Sequence, residues 1–221
     1  MVVPMKRFCF RGQYKDDAVL SYVSTQKEHI EALLRAGKIY TVTVFSYDNQ
    51  NIFIYYECVG EEELSPSDLF PGITDFMNTW PGEAEVRWFV PMIDIYHSML
   101  PDAEEEAAWH RNEHATPKAS MSQMKLDKLS SYIFYHYQLQ EEKRSSNGKH
   151  MSIWLSDHIA LLYSEAPDCR YPNVKPGCLT TNHTPSNWRD VMVPHFNLFD
   201  DGVLYHYADI VFTLSEGDLE A

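Results

Sequence analysis

The chain has 221 residues, enough for one large domain or two of about 100 residues each, and either choice leaves a real core. Hydrophobic residues make up 44% and aromatics 14%, yet no apolar run approaches the roughly 18 residues of a membrane-spanning helix. The formal charge of -14, with 32 acids against 18 bases, argues against nucleic acid and against an anionic membrane surface, which both want clustered Lys and Arg.

The opening MVVPMKRF has neither the basic start, the apolar core nor the small-residue cleavage site of a signal peptide, so a cytoplasmic protein is expected. The four cysteines, Cys9, Cys58, Cys169 and Cys178, form no CxxC pair and signal neither zinc nor redox chemistry. Cys9 and Cys58 sit in apolar runs and read as buried thiols.

In chain order, residues 6–14 alternate as a strand does, with Phe8 and Phe10 on one face and Arg7, Cys9, Arg11 and Gln13 on the other. Asp16 and Asp17 open a helix carrying Val19, Tyr22, Val23, Ile30, Leu33 and Leu34, which Gly37 stops. Residues 41–45 and 52–58 are β-branched and aromatic and flank SYDNQN, which predicts a hairpin. Ser65 to Asp68 carry N-cap chemistry for a second helix with Leu69, Phe70, Ile73, Phe76 and Met77. The stretch 86–97, VRWFVPMIDIYH, then reads as a closing strand, completing the order strand, helix, strand, strand, helix, strand of a ferredoxin-like unit.

Residues 101–128 turn acid-rich and then Ser-, Thr- and Lys-rich, which predicts a connector whose first part is a solvated helix. Beyond it, 131–139 (SYIFYHYQL) reads as a strand, and 151–155 with 159–165 as a second hairpin. This hairpin shares with the first a Ser and Asp at the turn and a Tyr two residues before a Glu. A helix follows from Pro185 with Trp188, Val191, Met192 and Phe196, and 205–212 (YHYADIVF) echoes the first closing strand. Only EEKRSSNGKH separates the first two strands of this half, so its first helix is expected to be missing.

The expected architecture is therefore α+β. Two ferredoxin-like halves, 5–100 and 129–215, joined by the 101–128 connector, pack sheet to sheet as an α+β barrel within one chain. At MIDIYH, and in the run IEALLRAGKIYTVTVF, the first half resembles the L-rhamnose mutarotase family over about residues 5–98. The resemblance implies a cofactor-free isomerase that opens and closes a sugar ring. That family carries a proton-donating His one turn after a Tyr in its first helix, a position that falls near Val23 when the stretch is aligned from Ile30 backwards and at Gln26 when it is aligned on Tyr22.

Such chemistry needs an acid and a base across a polar cavity. The strand-face residues that could supply them are Glu57, Asp94 and His97 in the first half and His136, Glu165 and His206 in the second, with Arg11, Trp88, Tyr96 and Trp154 as sugar-contacting groups. Asp94 and His97 cannot share a face under strict alternation, so a catalytic pair is expected to come from different strands. The competing reading has the aromatics in the core and the acids and histidines at strand ends in solvent. His110, Glu113 and His114 spell the H-x-x-E-H zinc pattern, but in a connector context where a solvated helix is expected instead, and no metal is assigned. The function expected is a mutarotase-type isomerase or carbohydrate-binding relative taking a monosaccharide-like ligand without cofactor. The alternative is a non-catalytic small-molecule-binding or interaction protein; further homo-oligomerisation is compatible with either.

Overall fold

A computed structural model describes residues 5–60, 62–81, 85–98, 109–111, 114–142, 148–167 and 177–219. The class is α+β, with two antiparallel sheets. By contacts the chain divides into two compact units: unit 1 is Met1–Met92, Pro101–Pro117 and Ala208–Ala221, and unit 2 is Ile93–Leu100 and Lys118–Tyr207.

Unit 1 begins with β1 (Met5–Gln13), followed by α1 (Ala18–Thr25) and α2 (Lys27–Arg35). The single helix expected here is broken at Gln26, where the Ser24 and Thr25 hydroxyls turn back onto the carbonyls of Leu20 and Tyr22 and compete with the helical ladder. Gly37, at φ +64°, ends α2 in the left-handed conformation that glycine adopts at no steric cost. The hairpin of β2 (Ile39–Tyr47) and β3 (Asn51–Val59) turns on Asp48 and Asn49, both at φ 53°, the positive-φ pair that a tight hairpin demands. The second helix is shorter than its apolar spacing suggests. It consists of α3 (Pro66–Leu69), started by a capping box between Ser65 and Asp68, and a 3₁₀ turn at Ile73–Phe76.

The stretch expected to be one closing strand is two. It splits at Met92 into β4 (Phe89–Pro91), which pairs with β1, and β5 (Ile93–His97), which belongs to the sheet of unit 2. The echo near the C-terminus splits in the same way, at Ala208, into β10 (His206–Tyr207) and β11 (Asp209–Ser215), and β11 pairs with β2 of unit 1. The sheet of unit 1 thus runs β11-β2-β3-β1-β4.

Alternation sorts its two faces. Val42, Val44, Ile52, Ile54, Tyr56 and Cys58 join Val19, Val23, Ile30 and Leu34 of the helices in one core. The opposite face carries Arg7, Cys9, Arg11, Tyr55 and Glu57, all buried. Glu57 is fully enclosed there and saturated with donors: both guanidinium ends of Arg111 at 2.9 and 3.0 Å, the Tyr55 hydroxyl at 2.8 Å and the Trp109 indole N–H at 3.0 Å. Arg7 lies over the Trp109 ring at 5.5 Å.

Unit 2 contains β6 (Thr116–Met124), α4 (Leu129–Glu142), β7 (Ser152–Ser156), β8 (Ile159–Ala166), α5 (Trp188–Met192) with a 3₁₀ turn at Val193–His195, and the short β9 (Phe196–Asn197). Its sheet runs β10-β6-β8-β7-β5, with β9 on β6. Two expectations are corrected. The stretch read as a strand, 131–139, is the middle of α4, so the helix taken to be missing from the second half is present. Its aromatic content favours strands locally, yet Leu129, Tyr132, His136 and Leu139 follow the helical period and it is this stripe that packs inward. Residues 116–124, expected to belong to the connector, form strand β6 instead. The solvated helix expected over 102–114 falls mostly outside the described residues, although Trp109 is 1% exposed and so belongs to the core.

The Glu57 carboxylate makes the sharpest prediction for unit 1. Truncation as Glu57→Ala leaves the Arg111 cation buried without its counter-charge and is expected to cost about 3–5 kcal/mol. The paired replacement Glu57→Met with Arg111→Met is expected to recover most of that loss, and urea unfolding of both variants measures the difference. Equal destabilisation by single and double variants would show that the ion pair is not what the site depends on.

Candidate functional site

A cavity of about 300 Å³ lies within unit 2. Its walls come from β6 (Ser120, Ser122), β7 and β8 (Ile153, Ala160, Leu162), α4 (Tyr132, His136, Leu139), α5 (Trp188, Arg189, Met192) and β5, which contributes Tyr96. The lining is mainly apolar and aromatic. Among the described residues that line it, Arg189 carries the charge and no carboxylate is present.

Tyr96 reaches this space because of an irregularity. The pairing of β5 with β7 shifts between Asp94 and Tyr96, so that Asp94 faces Trp154 and Tyr96 faces Ile153. Ile95 is the extra residue of a β-bulge, and the bulge moves Tyr96 onto the cavity side. The same irregularity brings Asp94 and His97 together, with 3.0 Å between Oδ2 and Nδ1, a pairing that strict alternation forbids. That pair is partly exposed, and His97 is further tied to Gln140, whose Oε1 accepts from the His97 backbone N–H at 3.0 Å.

His136 is one of the titratable groups of the cavity wall and is only 4% exposed. Its Nδ1 lies 2.9 Å from the Tyr132 carbonyl. A carbonyl can only accept, so the proton sits on Nδ1 and the lone pair on Nε2. The ring stands among Tyr132, Trp188 and Tyr96, at centroid distances of 4.2, 5.1 and 5.9 Å. Desolvation lowers its pKa to about 4, with the Tyr132 hydrogen bond opposing and His195 adding to the fall, so the imidazole is neutral at pH 7. Burial likewise pushes the Tyr132 and Tyr205 hydroxyls up, keeping both protonated.

Other residues singled out from the sequence lie apart from this cavity. Trp154 and Glu165 are on the face of the unit 2 sheet away from α4, where the Trp154 indole donates to Ser152 Oγ at 2.8 Å and Tyr163 donates to Glu165 at 2.8 Å. His206, on β10, bonds Asp201 at 3.1 Å and stacks on Phe199. In unit 1, Arg11 donates to Asn51 at 3.0 Å and lies over Trp80, Trp88 packs against the core, and Glu57 is bound as described above. Of the ten, Tyr96 and His136 meet at the cavity. His110 and His114 of the zinc-like pattern each face a separate carboxylate, Glu216 at 2.7 Å and Asp218 at 2.5 Å, while Glu113 lies outside the described residues. Among the described residues no cluster of metal-ligating side chains occurs. No described helix is long and apolar enough to cross a membrane. Tyr132, Ser122 and Trp188 were not legible as site residues, since the signal that groups them is the i, i+4 spacing of Tyr132 and His136 on a helix that reads locally as a strand.

No protein-family model matches the chain, and no curated protein does. Solved structures of similar arrangement are a "putative monooxygenase" from Lactobacillus acidophilus (4% identity, TM-score 0.47, 97% of each chain) and a "putative monooxygenase" from Fusobacterium nucleatum (10% identity, TM-score 0.45, 98% of this chain and 96% of that one). A third is an "anthrone oxidase-like protein" (10% identity, TM-score 0.38, 97% of each chain). The mutarotase expectation is corrected at this point, because none of the three is a mutarotase and likenesses this weak carry no activity over to this chain. The chain itself agrees with the correction. Residues 93–97 of MIDIYH pair in the sheet of unit 2, the Tyr22 hydroxyl is engaged by the Pro71 carbonyl, and among the described residues no carboxylate lines the cavity beside His136.

The lowered pKa of His136 has a defined sign. Protonation is disfavoured in the folded state, so the contribution to stability is complete above 6.5 and is lost as pH falls through about 4. Relative to His136→Phe, the wild-type protein is expected to lose about 3 kcal/mol across that interval, read by urea unfolding at a series of pH values. Parallel pH profiles for the two proteins would contradict the burial of a neutral imidazole.

Proposed function

We propose that unit 2 is a small-molecule-binding module whose cavity takes a compact, apolar, ring-bearing ligand. The observation that carries this reading is the concave space of about 300 Å³, walled by Leu139, Ile153, Leu162, Met192, Phe196 and Trp188 and interrupted by a few polar groups. That combination, an apolar body with sparse polar points for orientation, is the ordinary chemistry of a ligand pocket, and the volume is at the small end of the range. Aromatic walls favour a flat ligand through offset and edge contacts.

We also infer that the two units are copies of one ferredoxin-like unit. In support, β11-β2-β3-β1-β4 corresponds position by position to β5-β7-β8-β6-β10, and both sheets carry a Tyr hydroxyl bound to a Glu two residues on, Tyr55 to Glu57 and Tyr163 to Glu165, each at 2.8 Å. Each copy is edged by the closing strand of the other.

Naphthalene, which has no polar group, tests the cavity alone. Calorimetric titration is expected to give saturable one-site binding to the wild-type protein. The substitution Ala160→Phe, which fills the space from β8, is expected to weaken it about tenfold or more while the far-ultraviolet circular dichroism stays unchanged. Failure of the wild-type protein to bind naphthalene, or binding indifferent to Ala160→Phe, would remove the reading.

A further inference from the structure

The fixed tautomer of His136 adds a chemical requirement to the cavity. With Nδ1–H committed to the Tyr132 carbonyl, Nε2 is left as an acceptor, and it takes no hydrogen bond from any described residue. The ring cannot exchange the roles of its nitrogens cheaply, because Tyr132, Trp188 and Tyr96 hold it from three elements. The titratable and charged groups around it are Tyr132 on its own helix, Tyr96 from β5, Arg189 from α5, His195 from the 3₁₀ turn after α5, and Tyr205 before β10. None is a carboxylate, so among the described residues that line the cavity no counter-charge stabilises an imidazolium. An acceptor without a protein partner in a mainly apolar wall favours a ligand that brings it a proton donor over one that brings another lone pair.

We propose that His136 sets the ligand class of the cavity, selecting flat aromatic rings that carry a neutral N–H or O–H donor aimed at its Nε2 over rings of the same shape without one. The proposal rests on the cavity being a ligand site. Bond formation here is a hydrogen bond with no proton transfer, so the ligand stays neutral and His136 stays unprotonated. The hydroxyls of Ser120, Ser122, Tyr132 and Tyr205 around the same space can donate as well as accept, so they do not impose this preference.

Indole and benzofuran separate the idea cleanly, being near-isosteric with N–H replaced by a ring oxygen. By calorimetry at pH 7 the wild-type protein is expected to bind indole about tenfold more tightly than benzofuran, and His136→Phe to bind the two within about twofold of each other. A second measurement uses the wild-type protein alone: the ¹⁵N resonance of His136 Nε2 is expected to move on saturation with indole and to stay in place with benzofuran. Equal affinities for the two compounds in the wild-type protein, or a preference that survives in His136→Phe, or an unmoved Nε2 resonance with indole bound, would overturn the proposal while leaving naphthalene binding intact. Loss of naphthalene, indole and benzofuran binding together would instead overturn the cavity reading on which it rests.

Discussion

Each sheet depends on a strand supplied from far along the chain. In unit 1 the outer edge of β2 is paired by β11, with Thr41 opposite Ser215 and Ser46 opposite Asp209, and in unit 2 the outer edge of β7 is paired by β5. The distant strand satisfies the backbone donors and acceptors along β2 or β7 and itself becomes the outermost strand of the sheet. In unit 1 the pairing is reinforced by side chains, with Thr43 and Thr213 hydroxyls 3.1 Å apart and the Thr41 hydroxyl donating to the Leu214 carbonyl. In unit 2 the arrival of β5 has a further effect, because its bulge at Ile95 turns Tyr96 toward His136. The edge that completes the sheet also completes the wall of the cavity.

Much of unit 1 is legible from local pattern. The alternation of Phe8 and Phe10 against Arg7, Cys9 and Arg11 sorts two faces that burial then confirms, and the Asp48-Asn49 turn and the Ser65 to Asp68 capping box stand where their chemistry puts them. These features are decided within a few residues. The pairing of distant strands is not, since that of Thr41 with Ser215 leaves no trace in the sequence around either. The split at Met92 leaves one local trace, Pro91, whose missing N–H interrupts the ladder, but nothing in VRWFVPMIDIYH says that the two ends serve different sheets.

The second unit was harder to read for a specific reason. In α4, Ile133, Phe134 and Tyr137 are exposed, so aromatic and aliphatic residues occur on both the inward and outward faces and the helical stripe is blurred. In β6, by contrast, the buried residues are Pro117, Ala119, Met121, Ser122 and Met124, small, polar or flexible groups of low strand propensity that pass for a loop. Mistaking a helix for a strand moved the candidate site. Tyr96 and His136 were singled out on strand faces, while the i, i+4 partnership of Tyr132 with His136, which fixes the tautomer, requires the helix.

Glu57 and His136 show how the same burial leads to opposite roles. Both are polar, nearly or fully enclosed and supported by aromatic neighbours. The carboxylate of Glu57 has every approach taken, by Arg111, Tyr55 and Trp109, so it has no capacity left for a ligand and its removal is felt as lost stability. His136 is satisfied on one side only, by a group from its own helix, and its other nitrogen borders open volume. A fold that saturates a polar group at this depth is using it as an internal tie. A fold that orients one nitrogen and gives the other no partner among the described residues of a mainly apolar cavity wall has built half of a recognition contact, and the chemistry of the other half is set by which nitrogen carries the proton.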